Sequence, residues 1–250
     1  MTDRILTADR ALRIACALLM GGLILGETLA ATAQIYVSPR RGTPGRREGA
    51  GTRGCFRDNK KFVALIPDKP EAFAMSATKR PYFFWYVPET TAANVEFRAE
   101  FELKDRAGRT LYQTTVRLTK LPGIVGLQLP ESVTSSLGIG EEYFWTFAPI
   151  CNSDSGPPEF VEGVFQLTQP NAELTKQLQV ASPNDLPKIY AAAGIWHDAI
   201  GILATQRCTQ PNNPTLSASW LKLLQSVQLQ RYANESLRPF CATVAPSSVP

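Results

Sequence analysis

The sequence predicts an α+β protein that is mainly β, with an immunoglobulin-like antiparallel β-sandwich followed by a small α-helical hairpin region. Up to about residue 169, short apolar and aromatic runs alternate with turns that contain Pro, Gly or Asp. About seven short strands at this spacing are typical of a two-sheet sandwich. After Pro170 the apolar residues follow a helical spacing instead. We therefore expect a sandwich over residues 55–169 and an α-helical region over residues 170–236.

Residues 1–33 have the pattern of a secretory signal peptide. Three arginines precede an apolar stretch over residues 14–25, and small residues at positions 31 and 33 offer a cleavage site before Gln34. The apolar stretch is shorter than the roughly 20 residues that a helix needs to cross a bilayer, although an uncleaved anchor is the alternative. We expect an exported protein, in the periplasm or outside the cell, that contacts a membrane only peripherally.

Residues 34–54 form a basic arm that is rich in Gly, Arg and Pro. The candidate binding residues of this arm are Arg40, Arg41, Arg46, Arg47 and Arg53. Together with Glu48 they account for the net charge of +4. Guanidinium groups bind carboxylates and phosphates bidentately, so we expect the arm to contact an acidic glycan or a protein of the cell envelope. The alternative is a solvated arm, or one whose arginines pair with acids of the sandwich.

Three glycines of the arm, Gly49, Gly51 and Gly54, fit the bare dinucleotide-binding pattern. That mechanism requires a strand before the glycines and a helix after them, so that the pyrophosphate meets the helix N-terminus. Neither element is predicted at these positions, so we expect no cofactor. The glycines instead allow the arm to pass close to the edge of the sandwich. Nucleic acid is not an expected partner, because no recognition module is evident.

The strands of the sandwich follow from apolar runs and from alternation. Residues 95–103 alternate between apolar and polar side chains, which is the period of a half-buried strand. Residues 105–109 form a turn, and residues 110–118 return as the second strand of a hairpin. The other predicted strands are residues 62–66, 82–87, 122–129, 143–151 and 160–167.

The aromatic run at residues 82–86 is a second candidate for binding. Alternation places Tyr82, Phe84 and Tyr86 on one face of the strand, and Phe83 and Trp85 on the other. One face must fill the core, and the alternative for the second face is that the helices cover it. If it is exposed instead, Phe83 and Trp85 would offer a platform for a sugar or a protein.

Three apolar faces with helical spacing predict helices after Pro170. They cover residues 186–193, 195–203 and 216–227, and Asn213 and Pro214 supply an N-cap and a first helical residue for the third. A tight turn at residues 193–196 joins the first two helices into an αα-hairpin packed on the sandwich. Residues 237–250 are expected to form a C-terminal tail.

The cysteines that follow the predicted signal peptide point to disulfide bonds. They are Cys55, Cys151, Cys208 and Cys241. An even number of cysteines in an exported chain favours pairing. Three pairings are possible, and we favour Cys55–Cys151 with Cys208–Cys241 because each bond then joins residues of one structural half. A metal site is not expected, because no two of these cysteines are close in sequence and the chain has a single histidine.

No catalytic residue is predicted. His197 is followed by Asp198, but on a helix the two side chains point about 100° apart, so we expect His197 to be an exposed helix residue rather than a catalytic base. Two pairs of carboxylates could serve glycoside hydrolysis if a cleft enclosed them. These pairs are Glu141 with Glu142 and Glu159 with Glu162. We expect turn and edge-strand carboxylates instead.

Several segments of the sequence resemble the cyanobacterial domain-of-unknown-function 928 family. Residues 45–55 (GRREGAGTRGC) resemble the opening of that family, and residues 82–88 (YFFWYVP) resemble its aromatic strand. The resemblance continues through residues 122–125, 143–151, 161–163 and 190–199, and covers roughly residues 43–232. It implies an exported protein and provides no known catalytic residues to carry over.

These features predict a non-enzymatic, exported interaction module of the cell envelope that binds a protein or an acidic glycan. Its binding elements would be the basic arm and the aromatic face of the sandwich. Two alternatives stay open: a hydrolase of envelope polymers that uses carboxylates, and an accessory subunit of a secretion or adhesion system. A cleft with paired acids would favour the hydrolase. An open, uncharged edge strand would favour the accessory subunit, which would bind a strand of its partner.

Overall fold

Two β-sheets and a group of helices make up the described part of the chain. The computed structural model describes residues 36–37, 45–49, 56, 61–68, 72–90, 97–119, 121–150 and 159–244, which all belong to the unit Gln34–Pro250. One sheet contains β1 (Val63–Ala64), β3 (Tyr82–Val87) and β6 (Gly123–Gln128), in the order β1-β3-β6. The other contains β2 (Phe73–Ser76), β4 (Phe97–Lys104), β5 (Thr110–Leu118), β7 (Glu142–Ile150) and β8 (Val161–Leu167), in the order β2-β8-β7-β4-β5.

The helices lie mostly after the last strand. They are α1 (Glu131–Thr134), α2 (Ala172–Val180), α3 (Leu186–Ala192), α4 (Trp196–Thr209), α5 (Pro214–Gln225) and α6 (Arg238–Val244), with a 3₁₀ turn at Gln230–Tyr232. Together with the sheets they confirm the prediction of an α+β protein that is mainly β. The predicted N-cap of α5 is also confirmed, since the Asn213 side chain accepts hydrogen bonds from the backbone N–H groups of Thr215 and Leu216.

The two sheets pack against each other through aromatic rings. Trp85 of the three-stranded sheet stacks on Phe147 of the five-stranded sheet, with ring centroids 3.8 Å apart. The centroid of the Phe83 ring lies 5.2 Å from that of Phe101 and 5.5 Å from that of Phe165, and both of these rings belong to the other sheet. Such ring pairs stabilise the core beyond the area that they bury. The immunoglobulin-like strand order is not confirmed, because β2 and β8 pair in parallel and β2 joins the five-stranded sheet.

The predicted hairpin forms as β4 and β5, joined by a turn at residues 105–109. The carboxylate of Asp105 accepts hydrogen bonds from the backbone N–H groups of Ala107 and Arg109, and Gly108 adopts the positive φ of 80° that the turn needs. The pairing then shifts by one residue, since Leu103 faces Tyr112 whereas Lys104 faces Thr110. Residues 112–118 of β5 pair regularly with β4 beyond this bulge.

The first turn of α4 connects the helices to both sheets. Three consecutive side chains form hydrogen bonds to different strand segments. Trp196 Nε1 donates to the carbonyl of Leu65, at 2.8 Å, next to β1. His197 Nδ1 donates to the carbonyl of Tyr82, at 2.8 Å, at the start of β3. Asp198 accepts at Oδ2 from the Ser76 hydroxyl, at 2.7 Å, and from the Ala77 N–H, at 3.0 Å, at the end of β2.

The prediction that His197 is exposed is wrong. Its side chain is only 1% exposed and packs against Phe83, with ring centroids 4.4 Å apart. Burial lowers the pKa of His197 to about 4, although the hydrogen bond to the Tyr82 carbonyl works in the opposite direction. His197 is therefore neutral above about pH 5 and is part of the core. The polarity of histidine suggests an exposed side chain. One donated hydrogen bond, however, offsets part of the free-energy cost of burying it.

Within the predicted tail, residues 238–244 form a helix that packs against the three-stranded sheet. The predicted tail at residues 237–250 is helical over α6, and Phe240 is fully buried. The Phe240 ring lies 4.8 Å from Phe84 and 5.4 Å from Tyr82. Gly126 leaves the space for this ring, since a Cβ at that position would lie 2.6 Å from it.

A disulfide bond between Cys208 and Cys241 joins α4 to α6, which confirms that predicted pair. It closes a loop with a sequence separation of 33 residues. Cys55 and Cys151, the other predicted pair, lie outside the described residues. The bond therefore fastens the helix that carries Phe240 to the helix whose first turn contacts both sheets.

Removing this disulfide should lower the free energy of unfolding. In the chain-entropy model a loop of this length contributes about 4 kcal/mol. We expect the double variant Cys208→Ser/Cys241→Ser to unfold at correspondingly lower urea concentration than the wild type under oxidising conditions. In excess reductant the two proteins should unfold alike, and a difference that persists there would assign the effect to the serine side chains.

Burial of His197 should make stability fall as the pH falls. The unfolded chain takes up a proton near pH 6.5 and the folded chain only near pH 4, so the unfolded state binds more protons between these values. The stabilisation is therefore complete above pH 6.5 and is lost towards pH 4, by about 3 kcal/mol. Urea titrations across this range should show the loss in the wild type. In His197→Asn, whose amide can still donate to Tyr82, the extra slope should disappear; equal slopes would contradict the assignment.

Candidate functional site

Phe83 and Trp85 are buried, so the prediction that they form an exposed aromatic platform is wrong. Both side chains are 1% exposed and lie between the two sheets. The opposite face of β3 is covered as well, because Phe240 packs on Tyr82 and Phe84. The alternative in which helices cover the second face is thus the correct one. The physical reason is that α4 and α6 need an apolar surface, and β3 provides it.

Arg47 of the basic arm is a buried structural residue. Its Nη1 donates to the carbonyl of Val227, at 2.9 Å, and Nη2 lies 3.5 Å from the Asp68 carboxylate. Its backbone carbonyl accepts from the Ala64 N–H at 2.9 Å, which places this part of the arm beside β1. Burial lowers the pKa of the Arg47 guanidinium, although Asp68 works against this shift. This arginine therefore holds the arm and the end of α5 together.

The side chains of the residues next to Arg47 also form contacts within the protein. Glu48 forms ion pairs with Lys61, at 2.9 Å, and with Arg231. Although partial burial works the other way, these cations hold the pKa of the Glu48 carboxyl below its usual value. Arg46 is exposed, with its guanidinium 4.7 Å from the centre of the Phe160 ring.

Two predictions on the arm can be compared with the structure. Residues 46–49 run along the sandwich, and the contact between Arg47 and Asp68 agrees with the alternative in which arm arginines pair with acids of the sandwich. Gly49 approaches the Glu159 carboxylate so closely that a Cβ would collide with it, as expected for a glycine at the sandwich edge. Arg40, Arg41 and Arg53 lie outside the described residues, as do Gly51 and Gly54.

The candidate carboxylates occupy separate positions along the sandwich. Glu141 accepts a hydrogen bond from the Tyr143 hydroxyl at 3.3 Å, and Glu142 lies on β7 opposite Gln166. Burial raises the pKa of Glu159, and one of its oxygens is shielded from water without a hydrogen-bond donor. In the described part of the chain we find no cluster of His, Cys, Asp and Glu side chains that could hold a metal ion.

Among the described residues, the edge of the five-stranded sheet that β5 forms is a candidate binding surface. β5 is the last strand in the order of this sheet, so one of its edges has no neighbouring strand within the described residues. It is nine residues long, whereas β2 at the opposite edge has four. Each edge of the other sheet has a neighbour over part of its length, because residues 47–49 pair beside β1 and Ile124 of β6 donates to the Ser236 carbonyl.

β5 also has few of the features that protect edge strands. Natural edges are commonly short or carry proline and several charges, which discourages pairing with another chain. β5 has the sequence TLYQTTVRL, with no proline and with Arg117 as its only charged residue. Its bulge lies at Leu111, near the start of the strand. The regular stretch from residue 112 to residue 118 can therefore accept a further strand.

The two faces of this edge differ in exposure. Tyr112, Thr114 and Val116 are half-buried and lie on the core side, opposite the fully buried Leu103, Phe101 and Ala99 of β4. Gln113, Thr115 and Arg117 alternate with them and are exposed. A strand added here would bury apolar side chains on one face and meet polar ones on the other. The sequence predicts the hairpin. Its position at the edge depends on the order of the strands in the sheet, which the alternation of apolar and polar residues does not predict.

In the part of the chain that the structure describes, no helix has the length and apolar character needed to cross a membrane. A comparison with curated proteins found no match. The model of the family Domain of Unknown Function (DUF928) matches residues 48–237, which is more than half of the chain. This match agrees with the resemblance seen at the opening and at the aromatic strand. The chain therefore belongs to the DUF928 family.

Proposed function

We propose that this protein is a non-enzymatic, exported interaction module of the cell envelope that binds an extended segment of a partner protein along the open edge of β5. The observation that carries the proposal is the position of β5 at the end of a five-stranded sheet, without proline or a run of charges. Backbone N–H and C=O groups at such an edge are an available template for a further strand.

The sheet is suited to hold this edge in place. β4 is paired on both sides, with β5 and with β7, and its inward side chains Ala99, Phe101 and Leu103 are fully buried in the core. A binding edge that is already ordered loses little conformational freedom when a partner binds. The partner segment would form main-chain hydrogen bonds with β5, so that β5 becomes an interior strand.

The side chains on the two faces of β5 indicate which residues an incoming strand should carry. An incoming strand should alternate, with apolar side chains beside Tyr112 and Val116 and polar side chains beside Gln113 and Thr115. An acidic residue of the partner near Arg117 would add a favourable charge pair. The basic arm supports the same envelope role through the exposed Arg46, and export itself is part of the proposal on the pattern of residues 1–33.

Proline substitutions can test the proposed edge. In an antiparallel pair the N–H groups of successive residues point to opposite sides of the strand, so one of Thr114 and Thr115 directs its N–H outward. Proline at the outward position leaves the pairing with β4 intact and blocks the edge, whereas proline at the other removes a hydrogen bond to β4. Thermal unfolding of Thr114→Pro and Thr115→Pro identifies the variant that retains its stability.

The stable proline variant should lose the partner. We expect the immobilised wild-type protein to capture a protein from envelope extract, identified by mass spectrometry, and to show slower hydrogen exchange at residues 112–118 when the partner is bound. The matched control is serine at the same position, which keeps the N–H and should capture the partner normally. Capture by the stable proline variant at the wild-type level would refute the proposed edge.

A further inference from the structure

We infer that the strand that binds to β5 belongs to a second copy of this chain, so that two β5 strands pair antiparallel about a two-fold axis and form one continuous sheet. The inference rests on the proposed function, since it names the partner of the same edge. It depends on three properties of β5: the register available to it, the residues that would face each other, and the surface that would be covered.

The register follows from symmetry. A two-fold axis perpendicular to the sheet keeps each side chain on its own face, so one residue must lie opposite itself. The regular part of β5 runs from residue 112 to residue 118, because the bulge at Leu111 interrupts the pairing with β4. Thr115 is the middle residue of this stretch. An axis at Thr115 pairs all seven regular residues, whereas any other centre pairs fewer.

The residues that would face each other in this register are compatible. On the core side Tyr112 would lie opposite Leu118, and Thr114 opposite Val116. Aromatic–aliphatic pairs of this kind and pairs that include β-branched side chains stabilise antiparallel strands.

On the exposed face Thr115 would lie opposite its own copy, and Arg117 opposite Gln113. The single charge of the strand therefore meets a neutral side chain that can accept a hydrogen bond. A register centred on Arg117 would place two guanidinium groups opposite each other, and the resulting repulsion disfavours it. Charge thus excludes the register centred on Arg117, and the length of the regular stretch favours the centre at Thr115.

The pairing would cover the half-buried residues at the edge of the core. Tyr112 and Val116 already pack against the buried core, and the Tyr112 ring lies 6.2 Å from that of Phe101. The same residues of the second copy would extend this apolar surface across the axis. The five-stranded sheet would become a sheet of ten strands, and its most open edge would disappear.

Substitutions at Thr115 can test both the partner and the register. Because Thr115 lies opposite its own copy, Thr115→Lys places two ammonium groups face to face, and Thr115→Glu places two carboxylates face to face. We expect sedimentation equilibrium of the full chain to show a dimer for the wild type. Each variant alone should dissociate about fivefold more readily, which corresponds to the upper end of the effect of like charges directly opposite each other.

An equal mixture of Thr115→Lys and Thr115→Glu should recover the dimer, since opposite charges then meet at the axis. Thr146→Lys is the control, because Thr146 lies on the same face of the sheet but on the central strand β7. It should dimerise like the wild type. Unchanged circular dichroism and thermal unfolding of each variant show that the fold is retained.

Two results would overturn the inference. A wild type that stays monomeric at about 100 μM would exclude a second copy as the partner. If the stable proline variant still failed to capture a protein from envelope extract, β5 would remain the binding edge, but for another protein. A dimer that both single variants retain, or that the mixture fails to recover, would place the contact elsewhere. If the proline variants also captured the envelope partner normally, the proposed function would fail together with the inference.

Discussion

The structure depends on the first turn of α4, where consecutive side chains bond to both sheets. Trp196 donates to the carbonyl of Leu65 beside β1, His197 donates to that of Tyr82 in β3, and Asp198 accepts from the end of β2 in the five-stranded sheet. All three side chains are almost fully buried, so each hydrogen bond offsets a desolvation that would otherwise be unfavourable. The carboxylate of Asp198 is also close to the helix N-terminus, where negative charge is favoured. Burial nevertheless raises the pKa of Asp198, although the hydrogen bonds from Ser76 and Ala77 work in the opposite direction.

This anchoring determines which of the described surfaces are covered by helices. With α4 fixed across the ends of both sheets and joined to α6 by the Cys208–Cys241 bond, the outer face of β3 is covered and its aromatic residues are structural. Arg47 and Glu48 bind the arm to the same body, so their charges are used internally. Within the described residues, β5 ends the order of the five-stranded sheet and has no neighbouring strand on one side, which is why we propose it as the binding edge.

Local patterns in the sequence predicted local structure well. β3 and β5 begin and end at the predicted residues, because alternation and flanking turns act over a few positions. The N-cap at Asn213 and the Cys208–Cys241 pair were also predicted correctly. β2 was missed because its four residues are too few to show a period. The burial of His197 and the edge position of β5 depend on contacts between segments that are distant in the sequence. The periodicity of apolar residues along the sequence does not predict such contacts.

The most direct test of the central role of α4 is native-state hydrogen exchange on the wild type and on Trp196→Phe. The substitution leaves the Leu65 carbonyl without its donor and should reduce stability by about 1–3 kcal/mol. If the first turn of α4 unites both sheets, the most protected amides of β3 and of β8 should lose protection by the same amount, because they open in one cooperative transition. Loss of protection confined to the helices, with β8 unchanged, would show that the sheets are stable without this anchor and would contradict the account.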